Sequence, residues 1–282
     1  MIVVVAIIII LLALLVPTLS HAMERARLLK CSANLRTIQA ATMQFAEDHD
    51  DMMPPSDVRP WAYHASIRDQ MQEDPVHRWW HRWSSILMKT GHIDPATVPM
   101  GGPIQGWPFG SSGEEADQLP VRGQSPFICP SGTWEYEGPG HEGGSNHWNP
   151  IANKADKQFY AIGDEPHGDQ QLNPQVVYVH YPVHYGCNGS NASSAYAMER
   201  TPSGGQPRLV YTGSFQNPSA LIIYYDGRFN HNRTSIGRVA ARHMNRTMAN
   251  FSFADGHVRA FDVRDLPSLG VADQSLYPNW RR

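Results

Sequence analysis

The chain opens with an uninterrupted apolar run, MIVVVAIIIILLALLV, which is sixteen residues long and contains no charge and no glycine. As an α-helix this run would be apolar on every side, which is typical of a helix that contacts lipid or other helices rather than water. Its sixteen residues cover about 24 Å, less than the ~30 Å of a bilayer's hydrocarbon core. We therefore assign residues 1–22 to a transmembrane segment, and we expect its first residues to lie upstream of Met1.

Two other interpretations of this run compete with a membrane helix. Ser20-His21-Ala22 resembles the small-x-small cleavage site of a secretory signal peptide, but no lysine or arginine precedes the apolar core as in signal peptides. A core helix of the globular domain is the other interpretation, although the extreme N-terminus is an unusual place for one. The residues that follow favour the membrane helix, because they continue the same helical pattern.

Beyond Pro17 the pattern changes from continuously apolar to amphipathic. A stripe recurs at alternating steps of three and four residues, which places its members on one face of a helix. The stripe consists of Leu28, Cys31, Leu35, Ile38, Thr42 and Phe45. The pattern predicts one helix from the first residues to about Asp50, bent at Pro17 and ending before Pro54-Pro55. Residues 23–52 are assigned to its amphipathic half.

The remaining residues, 53–282, are predicted to form a β-rich globular domain. Gln175–Gly186 is rich in β-branched and aromatic residues, and Pro182 marks an edge or a break in that strand. Ser219–Gly227 contains the longest apolar run of the domain and is expected to be a central strand. A second helix is predicted to start at Asp74-Pro75. The predicted fold class is α+β, with a long N-terminal helix packed on a mainly antiparallel sheet.

A β-hairpin is predicted over Asn250–Phe261, with Asp255-Gly256 at its turn. An Asp-Gly pair between alternating β-forming segments favours a two-residue turn with positive φ at both residues. Such a turn pairs Phe253 with Val258. The apolar side chains would then share one face of the hairpin, and Ser252 would lie on the other.

Composition narrows the function classes. The formal net charge is −3, which argues against a nucleic-acid-binding protein because such proteins concentrate basic residues. Abundant glycine, proline and aromatic residues are typical of a loop-rich extracytoplasmic β-domain. Three cysteines are too few for a disulfide scaffold, but one Cys129–Cys187 disulfide is a candidate in an oxidising compartment. The alternative is that both residues are buried thiols.

The N-terminal sequence MIVVVAIIIILLALLVPTLSHAMERARLLKCSANLRTIQ resembles the N-terminal helix of type IV pilin-like proteins, including type II secretion pseudopilins. In that family a basic leader ends in glycine, a Phe-Thr-Leu-Ile-Glu-like stretch follows, and the apolar run carries a proline at the position of Pro17. That glycine and glutamate do not precede the run here. The resemblance implies cleavage and N-terminal methylation by a prepilin peptidase. It also implies a helix that first spans the bacterial inner membrane and later packs against other subunits.

The C-terminal part is similar to prepilin-type proteins that carry Arg-His, nine residues and then Asp-Gly. Here Arg242-His243 is followed by eleven residues before Asp255-Gly256-His257-Val258, and the two extra residues are expected to lengthen the loop before the hairpin. Three short segments are similar to that family in the same order, namely Cys129-Pro130-Ser131, His184-Tyr185-Gly186-Cys187-Asn188 and Asn217-Pro218-Ser219.

A metal site is a further candidate for the globular domain. Asp226, His243, Asp255 and His257 would converge if the strands ending at Asp226 and Ala254 were neighbours. Carboxylates suit calcium, whereas imidazoles suit zinc. The alternative is that His243 hydrogen-bonds a loop carbonyl and His257 faces water.

The sequence and the resemblance together predict a non-catalytic, single-pass, pilin-like subunit of a type II secretion or type IV pilus-like assembly, without a cofactor. Basic residues after the apolar run would place the globular domain in the cytoplasm, but the resemblance implies the periplasmic or extracellular side, and we follow it. Lipid and other pilin-like subunits are the expected partners, with nucleic acid excluded and any secreted substrate or surface ligand unassigned. The expected contact residues are Ile2, Val5, Ile8, Leu12 and Leu15, with Pro17 at the bend.

Two alternative functions remain besides that of a structural subunit. The first is an extracytoplasmic ligand-, sugar- or metal-binding protein, or an enzyme, that uses the same anchor. The second is a conventional secreted protein whose first 22 residues are a signal peptide.

Overall fold

The structure is a computed structural model that describes residues 2–58, 81–100, 104–105, 125–133, 156–162, 177–190, 197–199, 210–227, 239–266, 278 and 280. Its helices are α1 (Ile2–Asp48) and α2 (Trp83–Lys89), with short 3-10 turns at Pro95–Thr97, Thr212–Ser214 and Val263–Asp265. Its strands are β1 (Asp57–Val58), β2 (His81–Arg82), β3 (Ile104–Gln105), β4 (Asp156–Ile162), β5 (Val177–Val183), β6 (Tyr185–Cys187), β7 (Gly189–Ser190), β8 (Met198–Glu199), β9 (Ile222–Asp226), β10 (Met248–Phe253) and β11 (Val258–Asp262).

The dominant element is α1, a single helix of 47 residues that contains Pro17 and continues through it. At 1.5 Å per residue it is about 70 Å long. The helix ends at Asp48 rather than at residue 52. Asp50 and Asp51 adopt left-handed φ angles of 54° and 62°, which turn the chain out of the helix.

The predicted stripe is the face of α1 that packs on the rest of the protein, which we call the head. Its buried members are Cys31, Leu35, Ile38, Thr42 and Phe45, and Leu28 is half-buried. The basic side chains off the stripe are exposed, namely Arg25, Arg27, Lys30 and Arg36. The periodicity therefore identified the packing face of this half of the helix.

A four-stranded antiparallel sheet, in the order β11-β10-β9-β6, lies against this face of α1. The predicted central strand is confirmed, because β9 has a neighbour on each side and ends at Asp226. Thr42 Oγ1 lies 2.7 Å from Tyr224 Oη, which joins α1 to β9. The opposite face of the sheet is covered by a second apolar cluster that includes Phe251 and Trp280. With a helix and a mainly antiparallel sheet, the fold is α+β.

The predicted strand Gln175–Gly186 divides into β5 and β6 at His184. β5 belongs to a separate three-stranded antiparallel sheet in the order β3-β5-β4, in which Pro182 pairs with Lys157 near the strand end. β6 joins the four-stranded sheet. The proline thus marks the end of one strand before the chain passes into the next sheet.

The hairpin of β10 and β11 is present, but the predicted register is wrong by one residue. Phe253 N–H donates to His257 O at 3.0 Å, and Ser252, not Phe253, pairs with Val258. The turn therefore has three residues, with Gly256 at a positive φ of 91°. A three-residue loop needs the left-handed conformation at one position, whereas the predicted turn needs it at two.

The one-residue shift changes which side chains share a face of the hairpin. Phe253 now stacks on His257, with ring centroids 4.2 Å apart. Ser252 faces α1, where its hydroxyl donates to Gln39 Oε1 at 3.3 Å. The expected division into one apolar and one polar face is wrong, because the sheet is covered on both sides.

The second helix is shorter than predicted. α2 begins at Trp83, and the two residues before it, His81 and Arg82, form β2. The proposed start at Asp74-Pro75 lies outside the described residues. Trp83, Ile86 and Leu87 are fully buried in the main core.

Candidate functional site

The first half of α1 is apolar and exposed on every side. Its most apolar 18-residue window has a mean hydropathy of 3.3 and is not buried against any described residue. The interpretation as a core helix is therefore wrong. By length and composition this is a helix able to cross a membrane, a test that an N-terminal signal sequence also passes.

The predicted contact residues all lie on this exposed segment. Their exposed fractions are 87% for Ile2, 53% for Val5, 50% for Ile8, 51% for Leu12 and 58% for Leu15. These five positions follow steps of three and four residues and therefore share one face of the helix. The large apolar residues on its other faces, such as Val4, Ile9 and Leu11, are exposed as well, so the head covers no face of this segment. Exposed large apolar side chains are otherwise rare in the described residues, with Tyr211 the one example outside α1.

The length of this segment matches a bilayer. From Ile2 to Ala22 the helix rises about 31 Å, close to the ~30 Å of the hydrocarbon core. Within it, Thr18 Oγ1 donates to the Leu15 carbonyl at 2.8 Å, so this hydroxyl needs no water. Charged residues begin directly after it, where Arg27 and Glu24 form an ion pair at 2.7 Å.

Cys31, which lies one turn beyond this charged region, forms a disulfide with Cys129. The predicted Cys129–Cys187 disulfide is wrong, and Cys187 is a buried thiol in β6. The physical reason is that the segment containing Cys129 docks on α1. One turn after Cys31, Asn34 Nδ2 donates to the Ile128 carbonyl at 2.7 Å and holds that segment against the helix.

The disulfide adjoins two buried titratable residues, Asp226 and His243. His243 Nε2 lies 3.2 Å from Asp226 Oδ2 and 3.6 Å from Cys129 Sγ. Asp226 Oδ2 also accepts hydrogen bonds from the backbone N–H of Asn250 at 2.7 Å and from its side-chain amide at 2.9 Å. Donor atoms of Cys31, Cys129, Asp226 and His243, one from each residue, all lie within 4.8 Å of one another. We call these four residues the buried cluster.

The four predicted metal ligands separate into two pairs. Asp226 and His243 are together and fully buried, but Asp255 and His257 lie at the hairpin turn, where each side chain is 37% exposed. His257 Nδ1 lies 2.6 Å from Asp255 Oδ1. The predicted set of four is therefore wrong, because Asp226 is bonded near the start of β10 whereas the turn follows its end. The strands are neighbours as expected, but the ends that carry these residues are not adjacent.

A buried arginine lies beside the cluster. Arg242 donates to the carbonyls of His184 and Gly227. Burial lowers the pKa of Arg242 to about 10, although the nearby Asp226 carboxylate opposes the shift. Burial and then Arg242 lower the pKa of His184 to about 3, so this imidazole is neutral, and its Nε2 donates to the Thr133 carbonyl at 3.1 Å. Burial and Asp226 raise the pKa of Tyr185 well above its usual value.

A tight left-handed turn positions His243. Met244, Asn245 and Arg246 have φ angles of 49°, 59° and 64°, and both Thr247 and Met248 donate backbone hydrogen bonds to the His243 carbonyl. Each such residue costs roughly 1–2 kcal/mol relative to the right-handed region. The turn returns the chain directly into β10, which places His243 beside the end of β9.

Sequence reasoning missed several members of this region. The sequence pattern places Cys31 on the apolar stripe and indicates no role in the site for Asn250 or Arg242. The available signals were weak: a cysteine on a buried helix face, and the Arg-His pair before the hairpin.

Comparisons with family models, with curated proteins and with solved structures found no match to this chain.

Proposed function

We propose that the protein is a membrane-anchored, pilin-like structural subunit, with the first half of α1 as its anchor and assembly surface. The observation that carries this proposal is the division of one continuous helix into two environments. The half from Leu28 onward packs on the head, whereas the segment from Ile2 to Val16 is apolar and exposed on all sides and is not buried against any described residue.

Hydrophobic free energy explains why such a helix suits two locations. Burial of one Leu, Ile or Val side chain stabilises by about 1.5–3 kcal/mol, so exposure of this whole segment to water is strongly unfavourable. Lipid tails and the apolar helices of sister subunits remove that surface from water equally well. A subunit can therefore leave the bilayer for a helix bundle without exposing its anchor.

The pilin-like part of the proposal rests on the N-terminal resemblance together with this geometry. In the proposed arrangement the head lies on the periplasmic or extracellular side of a bacterial inner membrane, and neighbouring subunits contact each other through α1. The proposed role is mechanical rather than catalytic, in a type II secretion or type IV pilus-like assembly.

The test of the anchor uses the same substitution at two exposed leucines of α1. Leu12→Lys places a charge in the middle of the proposed span, whereas Leu29→Lys places it beyond the span. A central lysine costs about 2.5–3.5 kcal/mol where leucine contributes about −0.5 kcal/mol, so insertion should weaken by roughly 100-fold or more. In carbonate-washed membranes, L12K should be extracted and L29K retained. Equal extraction of the two variants contradicts a membrane anchor.

The test of assembly uses a photo-reactive residue at Val5 in the full chain, with cross-linked peptides identified by mass spectrometry. We expect products joined to the apolar helix of another pilin-like subunit. Products with lipid alone would contradict a subunit role and leave a simple anchor. N-terminal sequencing of the native protein completes the test, because a terminus at Met23 would identify a cleaved signal peptide instead.

A further inference from the structure

We propose that the buried cluster is a zinc site when its two cysteines are reduced, with Cys31, Cys129, His243 and Asp226 as the four ligands. The oxidised form of the same site is the disulfide between Cys31 and Cys129. This proposal does not depend on the membrane role of α1, because all four ligands lie in the described core of the head or on the face of α1 packed against it.

The ligand types are those of zinc proteins. Zinc is held by four ligands in a tetrahedron, and thiolate sulfur, imidazole nitrogen and carboxylate oxygen are its usual donors. Two soft thiolates with one imidazole favour zinc over calcium or magnesium, which prefer oxygen ligands. The cluster offers one donor atom from each residue, all within 4.8 Å of one another.

The separations already present fit a tetrahedron. With metal–ligand bonds of about 2.0–2.3 Å, the edges of the tetrahedron are about 3.3–3.8 Å. His243 Nε2 lies 3.2 Å from Asp226 Oδ2 and 3.6 Å from Cys129 Sγ. The edge between His243 Nε2 and Cys129 Sγ therefore needs almost no change, and Oδ1, the second oxygen of the same Asp226 carboxylate, is the atom that completes the site. The edge between the two sulfurs forms when the disulfide opens and each cysteine side chain rotates.

Two polar atoms of the cluster are buried without a hydrogen-bond partner in the described part of the chain, namely Asp226 Oδ1 and His243 Nδ1. A buried polar atom without a partner costs roughly 1–3 kcal/mol. Metal binding gives the Asp226 carboxylate a second interaction on the oxygen that Asn250 does not contact. The unpartnered Asp226 oxygen and the convergence of the four donor atoms both point to a bound ligand.

The charge balance also suits a divalent cation. Two thiolates and the Asp226 carboxylate carry three negative charges, and zinc neutralises two of them. The buried Arg242 guanidinium, which is close enough to Asp226 to interact electrostatically, supplies one more positive charge. A buried site with no net charge avoids the large cost of isolated charge in the interior.

Reduction and reoxidation of the Cys31–Cys129 bond convert one form of the site into the other. A low-molecular-weight thiol, as reductant, transfers two electrons to the Cys31–Cys129 bond: protein S–S plus two R–SH gives two protein S–H and one R–S–S–R. Zinc then binds the two thiols as thiolates and releases two protons. Reoxidation of the thiolates by a disulfide compound restores the Cys31–Cys129 bond and releases the ion.

Both forms connect α1 to the segment that contains Cys129. Cys31 lies on α1, Cys129 on the segment docked against it, Asp226 at the end of β9 and His243 before β10. The disulfide connects the first two, whereas zinc connects all four. We therefore expect the reduced, zinc-bound head to remain folded rather than to lose its attachment to α1.

The test is carried out on the full chain in mild detergent, purified without a histidine tag. The protein is reduced with a phosphine under nitrogen, freed of metal with a chelator, and titrated with Zn²⁺ against a chromophoric chelator. Co²⁺ is used in parallel, because thiolate-to-cobalt charge-transfer absorption reports sulfur ligation. The variants are C31S, C129S, H243Q and D226N, and the matched controls are H257Q and D255N at the exposed pair.

We expect one zinc ion per reduced chain, none at the cluster in the oxidised chain, and a charge-transfer band with Co²⁺. H243Q and D226N should weaken zinc binding by about 100-fold or more, since even residues that only support ligands contribute 10–100-fold. H257Q and D255N should bind zinc as the wild type does. A reduced wild-type chain that takes up no zinc overturns the proposal whatever the variants do. Binding unaffected by C129S and H243Q overturns the ligand assignment.

Discussion

Loss of the Cys31–Cys129 disulfide is expected to destabilise the head strongly. The two residues are separated by 98 positions in the sequence, so the bond closes a long loop of the unfolded chain. The chain-entropy relation gives about 4.7 kcal/mol for a loop of ~100 residues. That is a large share of the ~5–15 kcal/mol by which a typical domain is stable. For a domain of 150–250 residues it corresponds to a fall in melting temperature of roughly 10–20 °C.

The perturbation is the double substitution Cys31→Ala with Cys129→Ala, which leaves neither partner of the bond as an unpaired thiol. The control is Cys187→Ala, which removes a buried sulfur that belongs to no disulfide. Melting of the full chain in detergent, with a chelator present, is followed by intrinsic tryptophan fluorescence. Truncation of a buried cysteine alone costs roughly 1 kcal/mol, so the double variant should fall well below the control.

A melting temperature of the double variant within 2–3 °C (about 1 kcal/mol) of the Cys187→Ala control would refute this reasoning. It would mean that the bond does not restrict the unfolded chain, or that it is not formed in the protein as isolated. Titration of thiols in the unfolded, unreduced wild type distinguishes these two outcomes, because an intact bond leaves Cys187 as the one reactive thiol.

Two further predictions concern the surroundings of the cluster. Burial lowers the pKa of His184 from 6.5 to about 3, so its contribution to stability is complete above pH 6.5 and is lost as the pH falls towards 3. The loss in the free energy of unfolding is about 2 kcal/mol at pH 5. The free energy of unfolding of His184→Gln, measured with urea, should not show this loss. A pH dependence that is the same in wild type and variant would contradict this cause. Gly132→Ala should destabilise the head by about 1–3 kcal/mol, because the Cβ of the alanine would overlap the buried His184 ring. Gly213→Ala is the control, since a Cβ at that position has no atom within 4 Å and the substitution should be nearly neutral. Thermal melting of the two glycine variants compares them directly, and equal shifts would refute the steric argument.

The elements that local periodicity determines could be predicted from the sequence. The packing face of α1 follows from the 3.6-residue repeat, and β9 follows from a β-rich apolar run that ends at Asp226. Both signals are carried within one segment, so no knowledge of distant residues is needed. The bare apolar segment before Ala22 was predictable for the same reason.

The hairpin shows where local reasoning fails. Asp255-Gly256 identified the turn correctly, but a choice between a two- and a three-residue loop depends on which face each strand must present to the rest of the protein. Here Ser252 faces α1 and Phe253 faces a second apolar cluster, so both faces are buried and alternation gives no preference. The loop length then depends on contacts that lie more than 200 residues away in the sequence.

The cysteine pairing and the buried cluster depend on long-range packing. Cys31 meets Cys129 because Asn34 binds the Ile128 carbonyl, a contact between residues 94 positions apart. Asp226 and His243 meet because the turn after His243 adopts left-handed φ at three consecutive non-glycine residues, which residue preferences argue against. A sequence pattern ranks Asp255 equally with Asp226, since only the tertiary fold distinguishes a buried carboxylate from one at a turn.

The position of the buried cluster follows a mechanical logic. Cys31 is the first fully buried residue of α1, so any force carried along the proposed anchor enters the head at this residue. Packing of Leu35 and Ile38 against the sheet resists separation, but non-directional contacts of this kind yield one after another under a pulling force. A covalent bond or a metal at Cys31 transfers the load directly to the Cys129 segment, and with zinc also to β9 and β10. The strongest attachment between anchor and head therefore lies at the point where α1 would otherwise first separate from the head when a subunit is pulled by its helix.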